Sequence, residues 1–240
     1  MSPAGGEGAA GRPHGVTMTR TWQRSVQPPQ CVIRVAGPDD IAVVRELDNL
    51  VFPADDRDRQ RAAPGELEDG VIAGDVHVLE RLGEVVAYLH TDRSRPNMIF
   101  VSGIAVRPDV QGLGLGTMMI DHFLDSLPAR IRGSVPITTI TSPRNLAMLR
   151  LLFARGFAGR WFLKDYFGPG RDRVGCQLRG HGAPWPAAAG IQVPASALDS
   201  VMRLLAEHRH VIRALVQTVT GPMFELVPGH VDQFPASGPP

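Results

Sequence analysis

The stretch Met98-Ile99-Phe100-Val101-Ser102-Gly103-Ile104-Ala105-Val106-Arg107-Pro108-Asp109-Val110-Gln111-Gly112-Leu113-Gly114-Leu115-Gly116-Thr117 decides the fold. Met98 to Val106 is rich in side chains that suit a pleated, half-buried surface, which predicts a strand. Pro108 cannot donate to a sheet ladder, so Arg107-Pro108-Asp109-Val110 ends it. The alternating Gly112, Gly114 and Gly116 let the backbone turn tightly and approach a ligand with no β-carbon in the way. A helix over 117–127 follows. Its first turn offers unpaired N–H groups and the positive end of the helix dipole, which suits a phosphate. The spacing is not the G-x-G-x-x-G of dinucleotide folds, and no Lys-Ser/Thr pair follows as a Walker loop requires. Taken alone, such a loop also fits a plain strand-to-helix turn with no ligand.

With strand, loop and helix in register, the stretch resembles the acetyl-coenzyme A motif of the GCN5-related N-acetyltransferase (GNAT) superfamily. That motif is Gln/Arg-x-x-Gly-x-Gly/Ala after a strand ending hydrophobic-Ala-Val and a Pro. Here Ile104-Ala105-Val106, Pro108, Gln111, Gly114 and Gly116 carry it. The resemblance implies that the backbone of Ile104, Ala105 and Val106 lines the pantetheine. It also implies that the amides of Gly112, Leu113, Gly114, Leu115, Gly116 and Thr117 cradle the diphosphate. Gln111 would support the loop, and Leu113 and Leu115 would pack while lending only their N–H groups. The implied fold is α/β (α+β): a mixed, mostly antiparallel central sheet flanked by helices.

At 240 residues there is room for one full domain plus extensions. The 25 basic and 24 acidic residues leave a charge of +1, which gives no electrostatic case for nucleic acid or an anionic membrane. The two cysteines, Cys31 and Cys176, form neither a disulfide framework nor a zinc site, and point to a reducing, cytoplasmic setting. No apolar run reaches transmembrane length and no secretory leader opens the chain.

Residues 1–30 read as a disordered tail, with Met18 an alternative start. Cys31 to Val35 reads as a short strand. Asp39 or Asp40 then caps a helix whose buried face is Ile41, Val44, Leu47, Leu50 and Val51, ended by Phe52-Pro53. The charged run 54–61 reads as a solvated loop; in the resembled family this segment borders the acceptor cleft. Residues 76–81 and 84–90 form a hairpin through Leu82-Gly83, and residues 135–141 form a further strand. Leu146 to Arg155 is a helix stopped by Gly156, and residues 157–167 and 173–178 are the last two strands of a domain spanning 31–180. Residues 181–195 read as a linker. Residues 196–221 read as one amphipathic C-terminal helix opened by a capping box at Ser196-Ala197-Leu198-Asp199, which packs back on the domain, dimerises with a second copy or shapes the acceptor site. Residues 222–240 read as a loose tail. His208 and His210 point different ways on such a helix and make a poor metal pair, so no metal site is expected.

The second half also resembles the family at Asn145 and at Gly156-Phe157. There the Asn hydrogen-bonds the pantetheine arm; helix capping explains Asn145 equally well. The family's general-acid Tyr falls on Leu152, and its base positions fall on Met98 and Ile140, so the common acid and base sites are empty. Tyr166, in Asp165-Tyr166-Phe167-Gly168, is the candidate for general acid or acceptor contact. Tyr88, His90 and Asp92 are weaker candidates, His90 by its native pKa. The expected activity is acetyl transfer from acetyl-coenzyme A, as cosubstrate, to a primary amine: a peptide or amino-acid N-terminus, a lysine or a small amine. The alternative is a catalytically silent acyl-coenzyme A-binding regulatory module.

Overall fold

The computed structural model describes residues 31–52, 65–94, 97–179, 189–207 and 210–229. The expected N-terminal tail, the charged run 54–61, linker residues 181–188, His208 and residues 230–240 lie outside them.

Among the described residues ten strands form one sheet: β1 (Cys31–Val35), β2 (Val76–Arg81), β3 (Glu84–Asp92), β4 (Ile99–Val106), β5 (Ile137–Thr141), β6 (Phe157–Leu163), β7 (Arg173–Leu178), β8 (Ile191–Pro194), β9 (His210–Thr218) and β10 (Gly221–Pro228). Their order is β1-β2-β3-β4-β5-β7-β6-β9-β10-β8. Among the described strands only β4 and β5 run parallel, because a helical crossover separates them in sequence. The helices are α1 (Ile41–Val51), α2 (Glu66–Ala73), α3 (Leu115–Ser126), α4 (Ala129–Ser134), α5 (Leu146–Ala154) and α6 (Leu198–Ala206).

Alternation along the strands divides the core into two faces. Leu79, Ala87, Leu89, Ile99 and Val101 pack with Leu115, Met119, Ile120 and Phe123 of α3 and with Leu149 and Leu152 of α5. Val76, Val78, Tyr88 and Ala105 point the other way and pack with Val44 and Leu47 of α1 and Val71 of α2. The β2–β3 hairpin turns through Leu82 (φ 56°) and Gly83 (φ 83°), two left-handed residues that match the strand twist.

Several expectations are corrected. Leu50, placed on the buried face of α1, is 56% exposed. Asp40 is the N-cap of α1, as expected, but its side chain makes no capping bond to that helix. Its Oδ2 accepts from the Gly37 N–H at 2.7 Å and pairs with Arg34 at 2.6 Å. The helix α3 begins at Leu115, two residues before Thr117. No capping box opens α6, whose N-cap is Ala197.

The largest correction is at the C-terminus. Only Leu198–Ala206 is helical; His210–Thr218 and Gly221–Pro228 are an antiparallel hairpin, and Ile191–Pro194, read as linker, pairs with β10. Val211, Ile212, Leu215 and Val216 fit a helical period, but their β-branched members also suit a strand. The deciding partner is distant in sequence: β9 pairs with β6 at Gly159↔Ile212. Val201 and Leu205 of α6 then close over Ile212, Phe224 and Leu226 in the main core. The apolar stripe of this segment thus packs on the chain's own core.

Candidate active site

The site is built where β4 leaves β5. Parallel pairing covers only Ile99↔Ile137, Phe100↔Thr138 and Val101↔Thr139. The Thr139 hydroxyl donates to the Val101 carbonyl at 2.9 Å. Beyond that point β4 continues to Val106 beside β3 alone. The Arg107 N–H donates to the Val86 carbonyl on β3 at 2.8 Å. By strand alternation the N–H and C=O groups of Ile104 and Val106 therefore face the gap between β4 and β5. An extended polar chain laid in that gap finds a strand edge to bond with.

The loop after β4 is held from both ends. Arg107 is tied to Asp109 at 2.7 Å and to Glu84 at 3.0 Å. Gln111 Nε2 donates to the Val106 carbonyl at 2.9 Å, so its side chain braces the loop. Gly112 and Gly114 both sit at φ +81°, and a β-carbon on either would meet nothing within 4 Å. The backbone, not packing, demands these two glycines, and the space before them stays open. Gly116 differs: a β-carbon there would lie 3.3 Å from Leu151 Cδ1, so it lets α3 approach α5.

The first intrahelical bond of α3 runs from the Met118 N–H to the Gly114 carbonyl at 3.0 Å. The N–H groups of Leu115, Gly116 and Thr117 thus have no acceptor inside the helix and point out at its positive end. Two open glycines before three free donors fit a diphosphate. Leu115 is buried as expected, but Leu113, expected to pack, is 52% exposed.

Asn145 is exposed at the N-cap of α5, where its Oδ1 accepts from the Met148 N–H at 3.1 Å. The capping role is thus filled, and the Nδ2 donors point to no described residue. Leu152, at the expected acid position, is 1% exposed within the main core, so it neither donates nor borders the gap. Tyr166 lies in the turn between β6 and β7, with its ring edge-on to Phe167 at 4.9 Å. Phe167 in turn lies under the Arg173 guanidinium at 4.6 Å. Tyr166 therefore sits beyond the end of the sheet at which Thr141 of β5 pairs with Val174 of β7.

On the α1–α2 side, the Tyr88 hydroxyl donates to Asp48 Oδ1 at 2.6 Å. Asp48 was not a candidate from sequence; helical spacing marks only the apolar face of α1, and a contact spanning 40 positions leaves no local signal. Burial pushes the His90 imidazole below its ordinary value, with Asp92 and Asp48 opposing. On the α3 side, burial first and then His122 and Arg93 hold His77 low; its ring meets that of His122 edge-on at 5.4 Å. Among the described residues no three His, Cys, Asp or Glu side chains group as a metal site. Nor is any described helix long and apolar enough to cross a membrane.

Comparison with known proteins supplies the context. Residues 42–157, just under half of the 240-residue chain, match the model of the Acetyltransferase (GNAT) family. No curated protein sequence matches. Among solved structures, Naa50 of Arabidopsis thaliana, in complex with the bisubstrate analogue CoA-Ac-MVNAL, shares 15% identity at a TM-score of 0.52, covering 62% of this chain and 98% of that one. The ribosomal-protein-S18-alanine N-acetyltransferase of Escherichia coli shares 19% identity at a TM-score of 0.48, covering 65% and 100%. The yncA protein of Salmonella typhimurium, solved with acetyl-CoA, shares 22% identity at 0.49, covering 66% and 99%.

Proposed function

We propose, from the match of residues 42–157 to the model of the Acetyltransferase (GNAT) family, that this chain transfers the acetyl group of acetyl-coenzyme A to a primary amine. One observation carries the reading: the parting of β4 from β5 runs directly into Gly112 and Gly114 and the free first turn of α3. A strand edge, an open glycine loop and a helix N-terminus in that order suit a molecule with an amide-bearing arm and a diphosphate.

In this reading Ile104 and Val106 hold the pantetheine arm, and the amides from Gly112 to Thr117 hold the diphosphate. Holding the thioester in line with an incoming amine is worth roughly 7–11 kcal/mol of the barrier. The amine must arrive neutral or lose a proton, since an ammonium with pKa near ~10 is not nucleophilic. The departing thiolate, with a pKa near ~8.5, is a tolerable leaving group. Tyr166 is the proposed proton donor to it or contact to the acceptor. Tyr166→Phe then slows turnover more than it weakens coenzyme binding; an unchanged rate removes Tyr166 from this role. The domain is taken to span 31–180, extended by α6 and the β8–β10 strands, and to work in the cytoplasm. The two free thiols support that compartment.

A second reading is kept alive by one finding. Leu152 is buried and Met98 and Ile140 cannot ionise, so the usual acid and base positions are empty. A regulatory module that binds acyl-coenzyme A without transferring the acyl group has the same loop. The test is calorimetric titration of acetyl-coenzyme A, followed by thiol release against a panel of amines and short peptides. Binding with turnover supports the enzyme; binding without turnover on any amine supports the regulatory module; no binding overturns both.

A further inference from the structure

Two glycines make room for a polar cluster that neither the coenzyme loop nor Tyr166 uses. A β-carbon at Gly103 would lie 3.1 Å from the Tyr88 hydroxyl, and one at Gly70 would lie 2.5 Å from His90 Nε2. Tyr88 and His90 are two apart on β3, so both project to the α1–α2 face. His90 stands opposite Gly103 in the β3–β4 register. The Tyr88 hydroxyl, over Gly103, holds the Asp48 carboxylate of α1 at 2.6 Å. A phenol and a carboxylate therefore meet over Gly103, and the imidazole on the same face of β3 lies against Gly70 of α2. Gly103 adjoins Ile104, just where β4 loses its pairing with β5. Tyr88 is 4% exposed, whereas Asp48 and His90 are half-buried, so the cluster opens toward solvent at its polar end.

We propose that this cluster is the amine end of the acceptor site, in which Asp48 receives the ammonium of a cationic primary amine and His90 takes its proton. The inference rests on the acetyltransferase reading above. It also supplies what that reading lacks, since neither base position of the family can ionise here.

The chemistry fits the groups present. The carboxylate attracts the ammonium, and the Tyr88 hydroxyl fixes its direction with a charge-assisted hydrogen bond. Burial keeps His90 uncharged near neutral pH, while Asp48 and Asp92 limit the fall. An uncharged imidazole of this kind can accept a proton from the bound amine. The other charged groups nearby are Glu66, Glu68 and Asp69 on α2, with Glu68 tied to Arg45, and Asp75 before β2, tied to Arg93 at 3.0 Å. One N–H bond of the ammonium breaks and its proton passes to His90. The freed electron pair attacks the thioester carbonyl, a C–N bond forms, and the C–S bond breaks with its electron pair leaving on sulfur. The second proton of the amine goes to the thiolate, and the imidazolium returns its proton to water. Thioester and ammonium become amide, thiol and one released proton.

The experiment compares wild type, Asp48→Asn and His90→Gln. Each is titrated calorimetrically with acetyl-coenzyme A, then assayed with the panel amine that wild type uses fastest. Coenzyme affinity is expected to stay unchanged in all three. Asp48→Asn raises the KM for the amine at least about tenfold, as loss of one partner of a hydrogen-bonded charge pair does. His90→Gln lowers kcat about 100-fold near neutral pH. Most of that loss returns as pH nears ~10, where the amine arrives neutral by itself. A structural role would depress kcat equally at every pH. Should the glutamine variant fail to fold against Gly70, the smaller His90→Asn must show the same recovery. An unchanged KM in Asp48→Asn, or a His90 variant with unchanged or pH-independent kcat, overturns the proposal. Wild type that binds coenzyme but turns over no amine removes the acetyltransferase reading itself, whereas turnover with indifferent variants removes this inference alone.

Discussion

Gly159→Ala tests the join between the domain and its C-terminal strands. A β-carbon at Gly159 would lie 2.9 Å from Ile212 Cδ1, 3.0 Å from Ile212 Cβ and 3.1 Å from Val174 Cγ1. The first atom is the movable end of a side chain, but the other two are fixed to strands β9 and β7 on either side. Ile212 and Val174 are both fully buried, so there is no free volume for them to move into. One methyl forced into such a site costs about 1–3 kcal/mol. For a chain of this size that lowers Tm by about 2–4 °C per kcal/mol, read by scanning calorimetry. Ile212→Val removes Cδ1 and by itself costs about 0.5–1.5 kcal/mol. In the double variant the lost Cδ1 makes part of the room the alanine needs, so its cost falls below the sum of the singles by at least about 0.5 kcal/mol. A neutral Gly159→Ala, or strict additivity with Ile212→Val, would show that β9 does not lie on β6 and would refute the pairing.

Three further outcomes are expected. Gly114→Glu abolishes acetyl-coenzyme A binding by bulk and like charge, while Gly114→Ala, with open space at its β-carbon, costs about 1–2 kcal/mol of stability for its left-handed backbone; calorimetric affinity equal to wild type for the glutamate variant sinks the loop assignment. Cys176 is buried, with its thiol pushed up to about 12, and Cys31 is half-buried, so a thiol reagent titrates one cysteine in the native protein and two in denaturant. The Arg34 guanidinium, helped by the Gly37 N–H, holds the Asp40 carboxyl below the ordinary carboxylate range against the opposing effect of burial. A lowered folded value means that this stabilisation is complete above about pH 4 and is lost as pH falls toward the folded value. With Arg34 39% exposed, it amounts to about 1 kcal/mol. Asp40→Asn therefore weakens the protein at pH 7 and flattens its acid unfolding curve below pH 4, measured by urea midpoints across pH.

The sequence by itself determined most strands and helices between Cys31 and Leu178 and the turn at the glycine loop, and the family resemblance implied the bracing role of Gln111. These signals are local: strand alternation, proline breaks, glycines at left-handed positions and a helix that must begin after them. It also carried the capping role of Asn145, since the acceptor oxygen and the donor N–H lie three residues apart.

The tertiary structure alone decided the rest. Residues 210–219 carry a pattern that serves a helix or a strand, and the open edge of β6, some fifty positions earlier, settled it as β9. Leu152 shows the same dependence, because only the packing of α5 tells whether its position faces a cleft or the core. The cluster of Asp48, Tyr88 and His90 needs α1 and α2 laid across the sheet, with Gly70 and Gly103 leaving space for two rings. Backbone conformation is written in neighbouring residues, whereas a site gathered from distant segments exists only once the core has fixed their distances.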